Sequence, residues 1–117
     1  MMRIRFLIFS ACLLLALPSW AESFFNALPD VPMMAGLAEI EDQAFSFDKP
    51  DGRIMVGVAS IDDSLSFESV QSFYSQSLPQ FGWRGVGPLS FVRGAESLEI
   101  ALHEDDDQRI LEITISP

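Results

Sequence analysis

The sequence predicts an α+β protein: an antiparallel sheet of about five strands packed on one helix, in the order ββ-α-βββ, preceded by a signal peptide and an extended arm. Three observations carry this. Ser66–Trp83 (SFESVQSFYSQSLPQFGW) has an apolar stripe at helical spacing and ends in a Pro/Gly break. Arg53–Ile61, Ser97–His103 and Arg109–Ser116 are strand-like runs separated by turn residues. The first 21 residues join two arginines to an unbroken apolar run.

That leader comes first. Arg3 and Arg5 precede Phe6–Leu17, which is apolar apart from Ser10. Pro18 leads to Ser19-Trp20-Ala21, small at −3 and −1. The pattern is a secretory signal peptide cleaved between Ala21 and Glu22. The run falls short of the roughly 20 residues of a spanning helix, so no membrane span is expected after cleavage. Cys12 sits inside the run rather than at its end, which argues against a lipid-modified cysteine.

Cleavage removes 21 of 117 residues and leaves 96, enough for one small domain. The single cysteine leaves with the leader. The mature chain therefore has no disulfide, thiol nucleophile or zinc thiolate, and holds together by packing alone. Two of the seven cations also leave, so five face 17 acids, a net charge of −12. Such a surface repels nucleic acid and anionic lipid, and serves solubility first.

The expected division is 1–21 signal peptide, 22–42 extended arm and 43–117 a single α+β domain. Glu22–Leu37 (ESFFNALPDVPMMAGL) carries two prolines and no period, so it reads as a turning arm. Its large apolar residues should cover the sheet face opposite the helix, or else dock a partner. Gln43–Asp48 reads as a strand with Phe45 and Phe47 inward, and Lys49-Pro50-Asp51-Gly52 as a turn. Arg53–Ile61 is apolar on both faces and should be central.

In the helix, Phe67, Val70, Tyr74 and Leu78 form the stripe. Ser64 or Ser66 serves as N-cap, Pro79 ends the α geometry and Gly82 suits the position after the C-cap. Ser77 lies inside the stripe, where a small residue lets a helix approach a sheet. Tyr74 and Trp83 should be buried as scaffold. Beyond Trp83, a short or bulged strand is expected at Trp83–Val86, then strands at Leu89–Arg93, Ser97–His103 and Arg109–Ser116. The expected core is Phe45, Phe47, Ile54, Val56, Val58, Val70, Tyr74, Leu78, Trp83, Phe91, Leu98, Ile100, Leu102, Leu111 and Ile113.

No motif carries a reaction. The sharpest charge cluster is Glu104, Asp105, Asp106 and Asp107, a solvated hairpin loop and at most a weak divalent-cation site, because adjacent acids point in different directions. His103 is the only histidine and stands in no triad context. Met33, Met34 and Met55 lack copper-site spacing. Asp62 and Asp63 read as loop acids ahead of the helix. Arg53, Arg84 and Arg93 should pair with the surplus acids. No catalytic residue, cofactor-binding residue or cofactor is assigned.

PDVPMMAGL at Pro29–Leu37, FDKPDGRI at Phe47–Ile54 and FYSQSLPQFGW at Phe73–Trp83 together resemble small exported proteins of Gram-negative bacteria of unassigned function. The resemblance implies a periplasmic or secreted location and supplies no catalytic residues. The function expected is a soluble, non-catalytic binding or accessory module of the envelope, with a protein partner met through a surface or the apolar arm. The alternatives are an enzyme subunit with a dispersed site and an acidic protein binding divalent cations weakly.

Overall fold

The computed structural model describes residues 23–117. The expected signal peptide and its expected Ala21–Glu22 junction lie outside the described residues. The strands are β1 (Leu37–Glu39), β2 (Phe45–Lys49), β3 (Gly52–Ile61), β4 (Arg84–Gly87), β5 (Ser90–Arg93), β6 (Glu96–Asp105) and β7 (Gln108–Ser116). One helix, α1 (Phe67–Ser77), stands between β3 and β4. The class is α+β as expected, but the antiparallel sheet has seven strands rather than about five.

The count rises because the short strands on either side of Pro88 are both formed and because β1 matches no expected strand segment. Strands β1 and β2 pair with the same side of β3, β1 against Ala59–Ile61 and β2 against Gly52–Val56. A 3-10 turn at Glu41–Gln43 separates them, so together they form one interrupted edge. Three polar-flanked residues are too few to show a period, which is why the sequence hides this strand. The sheet order is β1-β3-β7-β6-β5-β4, with β2 beside β3. The helix thus carries the chain from β3 to the far edge, and β4–β7 meander back to pair with β3.

Local chemistry sets the helix ends. Ser66 Oγ accepts from Ser69 N at 3.0 Å and Ser66 N donates to Ser69 Oγ at 3.2 Å, a reciprocal cap. Past Ser77 the chain tightens into a 3-10 turn over Leu78–Phe81, as Pro79 requires. Gly82 then takes φ +93, a left-handed conformation costly for any residue with a Cβ. Its N–H returns to Pro79 O, and Trp83 N to Leu78 O.

One face of the sheet holds the main core. There Gly57, Ala59 and Ile61 of β3 lie in register with Ile113, Leu111 and Arg109, and Ile100 and Leu98 continue the face on β6. Val70, Tyr74 and Leu78 from the helical segment pack on it, with Trp83 and Phe91. Tyr74 and Trp83 are buried, as a scaffold role requires. Ser77 is buried too, fitting a small residue at the helix–sheet contact.

The N-terminal arm corrects the expected arrangement. Phe25, Leu28 and Val31 join this same core, beside the helix rather than on the opposite face. Phe25 N bonds Val31 O and Val31 N bonds Leu28 O, so the arm folds into a compact turn. Tyr74 Oη donates to Pro32 O at 2.7 Å, and the Phe24 and Phe81 rings meet edge-on at 5.7 Å. One helix is too narrow to cover the sheet, and the arm fills the remainder of its layer.

The opposite face is handled differently. Val56, Val58 and Ile110 form a small separate cluster with Ile40 and Ile54. Phe45 and Phe47, expected inward, also lie on this side, paired with Val56 and Ile54, and each is 57% exposed. Alternation assigned the two rings to one face correctly. It could not say that the covering layer lies on the other face.

Candidate interaction surface

The acidic residues of the β6–β7 hairpin are not gathered. β6 runs on to Asp105, β7 begins at Gln108, and the connection is Asp106-Asp107 alone. Both carry positive φ, +53 and +66, the pairing a tight two-residue hairpin demands and which aspartate tolerates. Glu104 pairs across from Arg109 and Asp105 from Gln108, so these neighbours project from opposite faces. Among the described residues, no group of three or more His, Cys, Asp or Glu side chains could hold a metal ion.

The turn does bring Asp107 toward the loop before the helix. Asp62, Asp63, Asp107, Gln108, Arg109 and Ser60 line a shallow depression of about 290 Å³. Three hydrogen bonds order its floor: Arg109 Nη2 donates to Asp62 O at 2.5 Å, and the Asp62 carboxylate accepts from Ser64 N at 2.9 Å and Ser64 Oγ at 2.5 Å. The Ser64 bonds, aided by Arg109, hold the Asp62 carboxyl below its usual range. This is a loop held by its own acid ahead of a helix, as the sequence suggested.

A second depression, about 400 Å³, follows the helix flank along Phe73, Gln76, Ser77 and Gln80. None of these side chains titrates. Ser77 Oγ and Trp83 Nε1 are buried without a hydrogen-bond partner among the described residues. His103 is exposed on the face away from the helix, across from Ile110. Met33, Met34 and Met55 are half-buried against the main core, where thioethers fill gaps.

The arginines mostly serve structure. Arg53 pairs with Asp48 at 3.0 Å on the surface. Arg93 is a clamp: Nη1 donates to Asp30 at 2.9 Å and to Phe81 O at 3.0 Å, and Nη2 to Glu96 at 3.1 Å. Its guanidinium lies 4.2 Å from the centre of the Trp83 ring. Burial works against this charge, and the bonds to Asp30 and Glu96 outweigh it, so the pKa is raised. One side chain thereby joins the arm, the helix exit and the β5–β6 turn. Arg84 is exposed on β4.

What remains is the edge. All five residues of β2 are exposed, and two of them are phenylalanines on one face. The adjoining β1 portion is tied to the arm through side chains: Glu39 accepts from Asn26 N at 2.8 Å and Ala27 N at 3.1 Å, and Glu41, just beyond it, from Asn26 Nδ2 at 2.6 Å. The far edge, β4, is four residues long with a register shift between Gly85 and Gly87. Short length and a bulge blunt an edge. Strand β2, one residue longer, has no bulge and is blunted by charge and proline only at its Asp48-Lys49-Pro50 end. Sequence reasoning placed Phe45 and Phe47 in the core and so missed this surface. The available signal was their position next to Asp48, Lys49 and Pro50, a polar turn at the end of the chain's first hairpin.

Among the described residues, no helix is long and apolar enough to cross a membrane. Comparison of the chain with protein-family models, with curated proteins and with solved structures returns no match.

Proposed function

We propose that the mature chain is an exported, soluble, non-catalytic binding or accessory module of the bacterial envelope, and that it acts through a surface. The observation carrying this reading is the exposed Phe45–Phe47 pair on the unprotected β2 edge. Two phenylalanines exposed side by side at a sheet edge are the kind of apolar surface through which a small protein meets a partner. The arm is the weaker choice of surface, because Phe25, Leu28 and Val31 are buried in the core and Met33 and Met34 are packed against it. The leader and the acidic, cysteine-free mature chain support export and solubility.

The test is to follow a C-terminally tagged chain in a Gram-negative host. The expected result is recovery from the periplasmic fraction with Glu22 as N-terminus, and a discrete cross-linked protein adduct formed in intact cells. Retention in the cytoplasm, or periplasmic protein that never cross-links to a partner, overturns the reading.

A further inference from the structure

We infer that the outer edge of β2 accepts an extended, basic polypeptide segment as an added strand, with alternate apolar side chains of that segment seated on Phe45 and Phe47. The inference rests on the surface-acting reading above and names the class of partner.

The edge is selected by elimination. The β4 end is short and bulged, and the β1 portion is only three residues long with Glu39 tied to Asn26 and Ala27 of the arm, which leaves β2 as the longest stretch of this described edge with every residue exposed. Strand addition takes its affinity from main-chain hydrogen bonds and its specificity from sites for alternate side chains. Phe45 and Phe47 supply those sites, two residues apart on one face and backed by Val56 and Ile54. Ser46 and Asp48 stand on the other face, Asp48 paired with Arg53, while Lys49 continues the face of the two rings and Asp51 lies in the adjoining turn. An incoming strand therefore meets the two rings on one face and polar side chains on the other, and the sign of its charge is set by the field of the whole chain.

Charge selects the sign of the partner. Residues 23–117 hold 16 acids and five cations. Three of those cations are engaged internally: Arg53 by Asp48, Arg93 by Asp30 and Glu96, and Arg109 by Asp62 O. The resulting field draws a basic segment and repels a second copy of this chain. An acidic chain also gains nothing from an anionic lipid surface.

The experiment uses the mature chain, residues 22–117, and a fluorescein-labelled eight-residue peptide alternating valine and lysine. Controls are the valine–glutamate alternate and a peptide with the same valines and lysines in two blocks. The expected result is binding of the first peptide alone, with amide shift changes confined to residues 45–49 and their β3 partners at 52–56. The Phe45→Ser/Phe47→Ser variant should weaken binding about tenfold or more, since exposed aromatic anchors dominate small interfaces. Shift changes centred on Glu104–Asp107, or equal binding by the blocked peptide, would mean simple ion pairing and overturn the inference. So would dimers of the free chain that the double variant abolishes, or vesicle binding that it abolishes. The shift map on the unaltered chain decides the matter even if the variant folds poorly. If cross-linking in cells yields an adduct that the double variant leaves intact, this inference fails while the surface-acting reading stands. If no adduct forms at all, that reading fails first.

Discussion

Gly57→Ala is the substitution that measures how firmly the N-terminal arm belongs to the fold. Gly57 lies in the middle of β3 on the face covered by the arm. A Cβ there would stand 2.8 Å from Leu28 Cδ1, 3.2 Å from Leu28 Cγ and 3.3 Å from Phe25 Cδ2. Leu28 is 0% exposed, so its methyl has no open space to swing into. A strand glycine free of such contacts gains from alanine, because glycine weakens a strand. Here overpacking should win and destabilise by about 1–3 kcal/mol. Leu28→Ala removes a fully buried side chain and should cost about 2–5 kcal/mol. In the double variant the new methyl occupies part of the cavity, so the combined cost should fall short of the sum by about 1 kcal/mol or more. Urea unfolding followed by Trp83 fluorescence reads all three variants, since Trp83 is buried and is the sole tryptophan left after cleavage at Ala21. In a domain of this size each kcal/mol moves Tm by about 4–8 °C, so the single variants are well separated from the parent. A neutral or stabilising Gly57→Ala, or strict additivity in the double variant, would show that the arm is not seated on β3.

Further substitutions test other joints. Tyr74→Phe strips Pro32 O of its donor and should cost about 1–2 kcal/mol. Burial also pushes the Tyr74 phenol above its ordinary value near 10, so the unfolded chain releases that proton first. The stability from Tyr74 is thus complete below about pH 10 and is lost as pH rises further; urea midpoints between pH 8 and 11 should fall less in Tyr74→Phe than in the parent. Arg93→Ala should destabilise by about 1–2 kcal/mol, its half-exposed partners limiting the loss, and Arg93→Lys should recover only part because an ammonium cannot reach three acceptors in a fork. Asp62 should titrate below an ordinary aspartate by carbon NMR, and Ser64→Ala should move it upward. The depressed pKa gives a contribution present at neutral pH and lost as pH falls through the folded value. Phe45→Ser and Phe47→Ser should each cost no more than about 1 kcal/mol, the level of partly exposed residues.

The helix and the long strands were legible because their periods are long enough to be unambiguous. The Ser66 cap, the Pro79 break and the Gly82 exit each follow from one residue's covalent structure. The turn at Pro50-Asp51 and the bulge near Gly85 follow in the same way. Strand β1 was not legible, since three residues carry no period. Nor was the side on which the arm packs. Phe25, Leu28 and Val31 advertise burial but not direction, and only Gly57, bare of side chain on one face of β3, marks where they fit. The same gap misplaced Phe45 and Phe47: alternation fixes which residues share a face, while the covering layer decides which face is dry. The acidic stretch Glu104–Asp107 reads as a hairpin loop, but only Asp106 and Asp107 form the turn, while Glu104 and Asp105 stay in the strand ladder.

The covering layer also accounts for where exposed apolar surface survives. A seven-stranded sheet needs cover on one face, and the helix with the arm supplies it from β3 across to β5. On the other face the inner strands meet water with side chains such as Glu99, Ala101, His103, Glu112 and Thr114. That solution stops short of β3, where Val56 and Val58 face the same way and close on Ile110. Phe45 and Phe47 stand outside this small cluster and extend it to the sheet's rim. Polar residues at 45 and 47 would have ended the apolar stripe within β3 at little cost to folding, as the exposure of both rings implies. The stripe instead runs to an edge that no other element protects among the described residues, and this coincidence favours strand addition over domain stability as the role of the exposed rings.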